Sequence, residues 1–341
     1  MNSNDFIPNQ WYPILDAQKL TRRKPIGVKR LGERLVLWRD RSGSVACAID
    51  RCSHRAAQLS LGQVRHGCLQ CPYHGLRFNR DGECVLIPAY GDDAPIPHGF
   101  NVSTRIVREA HGLVWFWYGD PIRAASDLPW FGGAPENSNR SSTVEREYPF
   151  HYLRVMENFG DAHHVPFVHR WTFPGAGSRF ELISAAEHDN VVTIDALMRG
   201  AGPRHFIFDF PFKASIRLPS LGMVEITPKL RFVATATPID EARTWLWVRY
   251  EQAYVPGWLG GSAFARLAAW YDINLIFSWQ DSRILQSQQL DRPGDISHYH
   301  LLEADRAIAL YFAIRKRALA AIPDSPALVV SHSSSSSSNS A

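Results

Sequence analysis

No stretch of this 341-residue chain approaches the roughly 18 consecutive apolar residues that a membrane-spanning helix needs, so no such helix is expected. The opening MNSNDFIPNQWYP lacks both the basic and the apolar segment of a secretory leader. A cytoplasmic protein without a membrane association is therefore expected. Blocks of like charge are also missing. The 37 basic and 33 acidic residues are spread along the chain, and a net charge of +4 leaves no footprint for nucleic acid. There is no G-x-G-x-x-G dinucleotide-binding loop. Cysteine is scarce and clustered: Cys47, Cys52, Cys68, Cys71 and Cys84. An odd number in a large chain with no leader argues against a disulfide framework and for a metal site in that segment.

Residues 33–118 read as short strands separated by tight turns. ERLVLWR and SVACAID flank Asp40-Arg41-Ser42-Gly43, and GLRFN, ECVLIP, TRIVRE and GLVWFWYG continue the pattern. A Pro/Gly/Ser/Asn-rich stretch at 121–142 reads as a linker between an all-β domain (1–120) and a catalytic domain (143–325). In the second domain, 152–165 reads as a helix stopped by Pro166. Strands are expected over about 180–252, and helices over roughly 262–289 and 301–322. Leu302, Ala304, Ile308, Ala309, Phe312 and Ala313 give the last one its apolar face. The Ser-rich residues 326–341 cannot build a core and read as a disordered tail.

Two constellations carry chemistry. The first is Cys52-Ser53-His54, then sixteen residues, then Cys71-Pro72-Tyr73-His74. Each half sets one thiolate and one imidazole on a short loop. Two facing loops of this kind suit a two-iron, two-sulfide cluster with both cysteines on one iron and both histidines on the other. Neutral imidazoles make such a cluster less negative and raise its potential. A Cys₃His zinc site using Cys68 is the competing reading, but it leaves His74 unexplained. Cys47 and Cys84 sit in apolar strand sequence and read as buried small hydrophobes.

The second constellation is Asn158-Phe159-Gly160-Asp161-Ala162-His163-His164, followed by His169. On a helix Asp161 and His164 share a face, and the break at Pro166 lets His169 swing back towards His164. Two histidines and one distant carboxylate make the facial triad of non-haem Fe(II) oxygenases. His163 competes with His164 as ligand. The carboxylate candidate is Asp281 in WQDSRILQSQQ, on an apolar helix face where a charge needs a partner. Asp272 competes, but at α-helical pitch nine residues put it half a turn out of phase with Asp281.

Together these motifs, C-x-H-x₁₆-C-x₂-H and N-x₂-D-x₂-H-x₄-H, resemble the oxygenase (α) components of Rieske non-haem iron oxygenases over nearly the whole chain. The Q-D-x-R-I-L-x-S-Q-Q stretch resembles the short members such as the saxitoxin-pathway hydroxylases, with aromatic demethylases as further relatives. The resemblance implies an all-β Rieske domain and an α+β helix-grip domain, a curved antiparallel sheet around a helix. It implies a [2Fe–2S] cluster on Cys52, His54, Cys71 and His74, and a mononuclear Fe(II) on His164, His169 and Asp281. It also implies a head-to-tail homotrimer, in which Asp161 carries electrons from a neighbour's cluster to this chain's iron. A separate ferredoxin or NAD(P)H-dependent reductase would supply those electrons.

The function expected is hydroxylation, with O₂, of a C–H bond in a largely apolar cyclic or heterocyclic small molecule. N- or O-demethylation is the alternative within the class. A Rieske electron carrier without oxygenase activity, or a zinc-stabilised binding protein, are the readings outside it. Phe206, Phe208, Phe210 and Met223 are the expected pocket residues.

Overall fold

The structure, a computed structural model, describes residues 6–131, 140–172, 176–200, 209–288 and 294–321. The first half is built from ten short strands: β1 (Gln10–Asp16), β2 (Ile26–Arg30), β3 (Glu33–Arg39), β4 (Val45–Ile49), β5 (Gln63–Arg65), β6 (Cys68–Gln70), β7 (Arg77–Phe78), β8 (Cys84–Leu86), β9 (Val107–Ala110) and β10 (Leu113–Tyr118). They form three antiparallel sheets, ordered β1-β10-β9, β2-β3-β4 and β5-β6-β7-β8. The expected hairpin about Asp40–Gly43 joins β3 to β4, closed by the Ser44 N–H and the Ser42 hydroxyl, which both donate to the Asp40 carboxylate. A small core of Val36, Trp38, Ala48, Leu59, Leu69 and Phe78 lies under the loops that carry Cys52 and Cys71.

The second half begins with β11 (Ser141–Tyr148), so the last two residues of the expected linker already belong to a strand. Helices α1 (Tyr152–Gly160) and α2 (Val165–Val168) follow. The chain then runs through β12 (Arg179–His188), β13 (Val191–Arg199), β14 (Phe210–Arg217), β15 (Leu221–Thr227), β16 (Leu230–Asp240) and β17 (Arg243–Gln252). This antiparallel meander returns to pair with β11 and gives one seven-stranded sheet, β11-β17-β16-β15-β14-β13-β12. Helix α1 lies against β14–β17, and Gly222 makes that approach possible. A Cβ there would stand 2.3 Å from the Phe159 ring. The chain closes with α3 (Gly261–Tyr271), a π-helix (Asp272–Asp281), α4 (Ser282–Ser287) and α5 (Arg306–Ala320). Leu302 and Ala304 precede α5, whose buried face keeps the expected Ile308 and Phe312 and adds Ala307, Tyr311 and Ile314. The Ser-rich tail lies outside the described residues. Among the described residues, no helix is long and apolar enough to cross a membrane.

Strand β17 is buried from Thr244 to Gln252 because both its faces are covered. By the two-residue period of a strand, Leu246, Val248 and Tyr250 face one core. Trp245 and Trp247 face the other, where they meet Trp11, Leu113, Trp115 and Trp117 from the first half. The seam is tied by polar contacts as well: Trp247 Nε1–H donates to Asp16 at 2.9 Å and Thr237 Oγ1–H to the Pro13 carbonyl at 2.6 Å. Replacing Trp247 by Ala leaves a cavity and strands Asp16. We expect about 3–5 kcal/mol of lost stability, read as a lowered urea midpoint.

Candidate metal centres

The two Cys/His loops share one backbone design. Cys52 N–H donates to the Ala57 carbonyl and Ala56 N–H to the Cys52 carbonyl, at 2.8 and 2.9 Å. Cys71 N–H donates to Leu76 and Gly75 N–H to Cys71, at 2.8 and 3.2 Å. In each loop the fourth residue after the cysteine takes positive φ, Ala56 at 57° and Gly75 at 75°. This duplicated loop is hidden in the sequence, because the histidine is two residues on in one copy and three in the other. Both thiols are buried while both imidazoles are exposed, with ring centroids 4.7 Å apart. Burial and the adjacent Cys71 thiol push the Cys52 thiol up to about 11. A thiol held in this way becomes a thiolate only against a cationic centre, which is what a cluster provides. Cys68 is half-buried on β6, and Cys47 and Cys84 are buried in the sheets.

The second set gathers from three elements. α1 ends at Gly160, earlier than expected, and Asp161 is already extended. Its carboxylate accepts the His163 and His164 N–H groups at 2.7 and 3.3 Å, which starts a new turn. Pro166 therefore does not stop a helix. It sits in the first turn of α2, where its missing N–H costs nothing. The single turn of α2 carries His169 back to His164, with their Nε2 atoms 3.2 Å apart. Asp281 Oδ1 lies 3.3 Å from His169 Nε2 and 3.6 Å from His164 Nε2. Ligands at about 2.1 Å from one ion, roughly at right angles, stand about 3 Å from each other. Among the described residues, His164, His169 and Asp281 form the set whose ligand atoms, one from each residue, lie within 4.8 Å of one another and could hold one ion. His163 instead packs edge-on to Phe167, with centroids 5.5 Å apart.

The surroundings fix these donors. Asp161 Oδ2 is 3.2 Å from His164 Nδ1, which orients the ring so that Nε2 faces the site. Burial opposes the charge on Asp161, but His164 and the two backbone amides hold its carboxyl below the usual range. Gln280, which the sequence reading passed over although it adjoins Asp281, holds His169 Nδ1 at 2.8 Å and reaches Thr172 at 3.2 Å.

Asp272 corrects an expectation. Residues 272–281 form a π-helix, whose i→i+5 bonding gives roughly 4.4 residues per turn. Nine residues then make about two whole turns, and Asp272 shares a face with Asp281 instead of opposing it. The spacing of Asp272, Ile276, Phe277 and Asp281 along one cavity wall agrees with that pitch. Asp272 accepts a short hydrogen bond from the Tyr250 hydroxyl, and burial with the nearby Asp281 charge pushes its carboxyl up to about 6.

Two voids meet at this centre. An inner one of about 100 Å³ is walled by Phe159, Phe212, Phe232, Leu246, Val248 and Phe277. An outer one of about 400 Å³ runs along Glu157, Asp161, Ile284, Leu285, His298 and His300. Of the expected pocket residues, Met223 lies on the other face of β15. There it packs against the tryptophan seam, and its neighbour Val224 faces the inner void. Phe206 and Phe208 are outside the described residues, as is the side chain of Phe210.

Helix α1, which delivers Asp161, is capped by a buried histidine. His151 Nδ1 accepts the Leu153 N–H at 3.3 Å. Burial, with Arg315 and Arg154 nearby, lowers its pKa from 6.5 to about 3. The unfolded chain therefore takes a proton on this ring below pH 6.5 that the folded chain refuses. Stability is complete above pH 6.5 and falls progressively towards pH 3, by about 2 kcal/mol at pH 5. His151→Asn keeps a capping acceptor without the proton, so it should lose about 2 kcal/mol less than the parent between pH 7 and pH 5 in denaturant titrations.

Fold and donor sets define a class first: proteins that join a paired Cys/His loop domain to a two-histidine, one-carboxylate centre under an antiparallel sheet. Residues 10–100 match the Rieske [2Fe-2S] domain, and residues 149–321 match the vanillate O-demethylase oxygenase C-terminal domain. The chain belongs to this Rieske, vanillate O-demethylase-type oxygenase family. It is similar to the dicamba O-demethylase oxygenase component of Stenotrophomonas maltophilia, 32% identical over 70% of this chain and 71% of that one. It also resembles TIC 55 of Pisum sativum, 35% identical over 47% of this chain, though the match spans only 29% of that protein's length. The fold is that of a dicamba monooxygenase crystal structure bound to 3,6-dichlorosalicylic acid. That likeness has TM-score 0.76 and 24% identity, and covers 92% of this chain and 98% of the other.

Proposed function

We propose that this chain is the oxygenase component of a Rieske non-haem iron monooxygenase acting on a small, largely apolar ring compound. The observation that carries the proposal is the convergence of His164, His169 and Asp281 within 3.6 Å, with Asp161 on the back of His164. Cys52, His54, Cys71 and His74 would hold the [2Fe–2S] cluster, and the triad would hold Fe(II). The bound metals supply one-electron transfer and O₂ activation. The chain's own residues do the rest. Buried Cys52 and Cys71 anchor the cluster while exposed His54 and His74 face outward, where a neighbouring subunit can receive an electron. Asp161 sits between the outer void and His164. Gln280 and Asp161 hold the two imidazoles with Nε2 towards the site. The aromatic wall of the inner void keeps water from the reacting carbon.

The net reaction inserts one O₂-derived oxygen into a C–H bond, while two electrons from the separate reductase and two protons carry the other oxygen to water. Where that carbon bears nitrogen or oxygen, the product collapses with loss of an aldehyde, which is dealkylation, the reaction that the similar dicamba O-demethylase is named for. The division into residues 1–120, a linker over 121–142 and a catalytic part over 143–325 belongs to the same proposal. So do the homotrimer, the separate ferredoxin or reductase and the cytoplasmic setting.

The test is metal and acid-labile sulfide content on anaerobically prepared protein, with EPR after reduction. About three irons and two sulfides per chain, with a Rieske signal and substrate-dependent O₂ uptake, are expected. Zinc without sulfide would overturn the proposal.

A further inference from the structure

The described lining of the inner void holds one polar pair that neither metal centre uses. Tyr250, buried on β17, donates its hydroxyl proton to Asp272 Oδ2. Among the described residues, the Tyr250 hydroxyl is the donor recorded on this carboxylate, at Oδ2, and Asp272 lines the void. A largely buried carboxyl oxygen in apolar surroundings is costly unless a donor reaches it. The walls beside the pair are Phe232, Val248 and Phe277. Every charged side chain of the described lining is acidic: Asp161, Glu225, Asp272 and Asp281. No Lys or Arg joins them among the described residues. The π-helix sets Asp272 two turns from Asp281 on one face, so a molecule held by Asp272 lies over the triad's cavity.

We propose that the Tyr250–Asp272 pair is the substrate anchor and specificity determinant of this pocket. It accepts an N–H or O–H from a small ring compound, neutral or cationic, and turns away carboxylates and sulfonates. The inference rests on reading the triad as the reaction centre. Tyr250 fixes one carboxyl oxygen and leaves the other to the ligand, so the pocket recognises a donor at one end and an apolar ring at the other. An anionic ring compound would bring a second negative charge against Asp272 in a poorly hydrated space.

The experiment uses the metal-loaded full chain at pH 8, with benzylamine, aniline, toluene and benzoate as probes in ligand-observed NMR titrations. Iron at the triad is assayed separately. We expect the two amines to bind at least about tenfold more tightly than toluene or benzoate. Asp272→Asn removes the charge and presents an amide donor without changing size. It should weaken benzylamine about tenfold, strengthen benzoate, and leave toluene unchanged. A pair that merely pins β17 to the π-helix would shift all four probes together. Equal affinities, a preference for benzoate or no binding by any probe in iron-loaded parent protein would overturn the anchor and leave the oxygenase reading intact. Amine preference in a protein whose triad takes no iron would overturn the oxygenase reading instead. The parent's preference is measured without any variant, so the test does not depend on how Asp272→Asn folds.

Discussion

His169→Ala should yield protein that still carries its cluster and no longer makes product. We expect iron to fall from about three to about two per chain, sulfide to stay at about two, and product formation to drop by at least about 10³-fold. The reasoning is geometric. His169 Nε2 is the donor nearest both other members of the set, 3.2 Å from His164 and 3.3 Å from Asp281. It is buried, with Gln280 holding its Nδ1 at 2.8 Å. Without it two donors remain, too few to retain a labile divalent ion through purification. Gln280→Ala is the graded control. It frees the ring to rotate without removing the donor, and it should cost about 10–100-fold in iron affinity. The cluster loops lie in a separate core, so the reduced Rieske EPR signal should be unchanged in both variants. An unchanged iron content in His169→Ala would move the metal elsewhere.

The candidate donor sets were legible in the sequence wherever they depended on spacing within a loop. Cys52-x-His54 and Cys71-x₂-His74 each fix a donor pair by local backbone, so their positions follow from the string of residues. His164 and His169 were found by the same logic, although through a mistaken local picture. Asp161 and His164 were expected on one helix face. Instead α1 ends at Gly160, and Asp161 meets His164 by capping the next turn. The short side chain of an aspartate reaches backbone amides two or three residues on, and that preference competes with continuing a helix. The Asp272–Asp281 phase was illegible for another reason. Nothing in DINLIFSWQD announces i→i+5 bonding. The segment is held by tertiary contacts that a string of residues does not display, with Arg146 on β11 reaching Asn274 and Ser278. The same applies to Met223: a one-residue choice of strand face depends on which core each face meets, and β15 is covered on both sides.

Asp161→Ala should separate metal content from turnover. The side chain is not a triad donor, so about three irons and two sulfides per chain should remain, and the reductase should reduce the cluster normally. Product formation should nevertheless fall by about 100-fold. Three functions of one carboxylate are lost together. Oδ2 no longer orients His164 through Nδ1 at 3.2 Å. Oδ1 no longer closes the turn through the His163 and His164 amides. The negative charge facing the outer void is also gone. Asp161→Asn divides these functions, because its amide oxygen can still accept the two backbone N–H groups. If capping were the main role, the Asn variant would recover most of the activity. If the charge carries the electron route, it should behave like Ala while matching the parent in thermal stability. The decisive measurement is single-turnover oxidation of the pre-reduced cluster in the presence of O₂ and substrate. It should be slow in both variants and fast in the parent. Normal product formation in Asp161→Ala would leave Asp161 as a turn-forming residue and sink its role between the two metal centres.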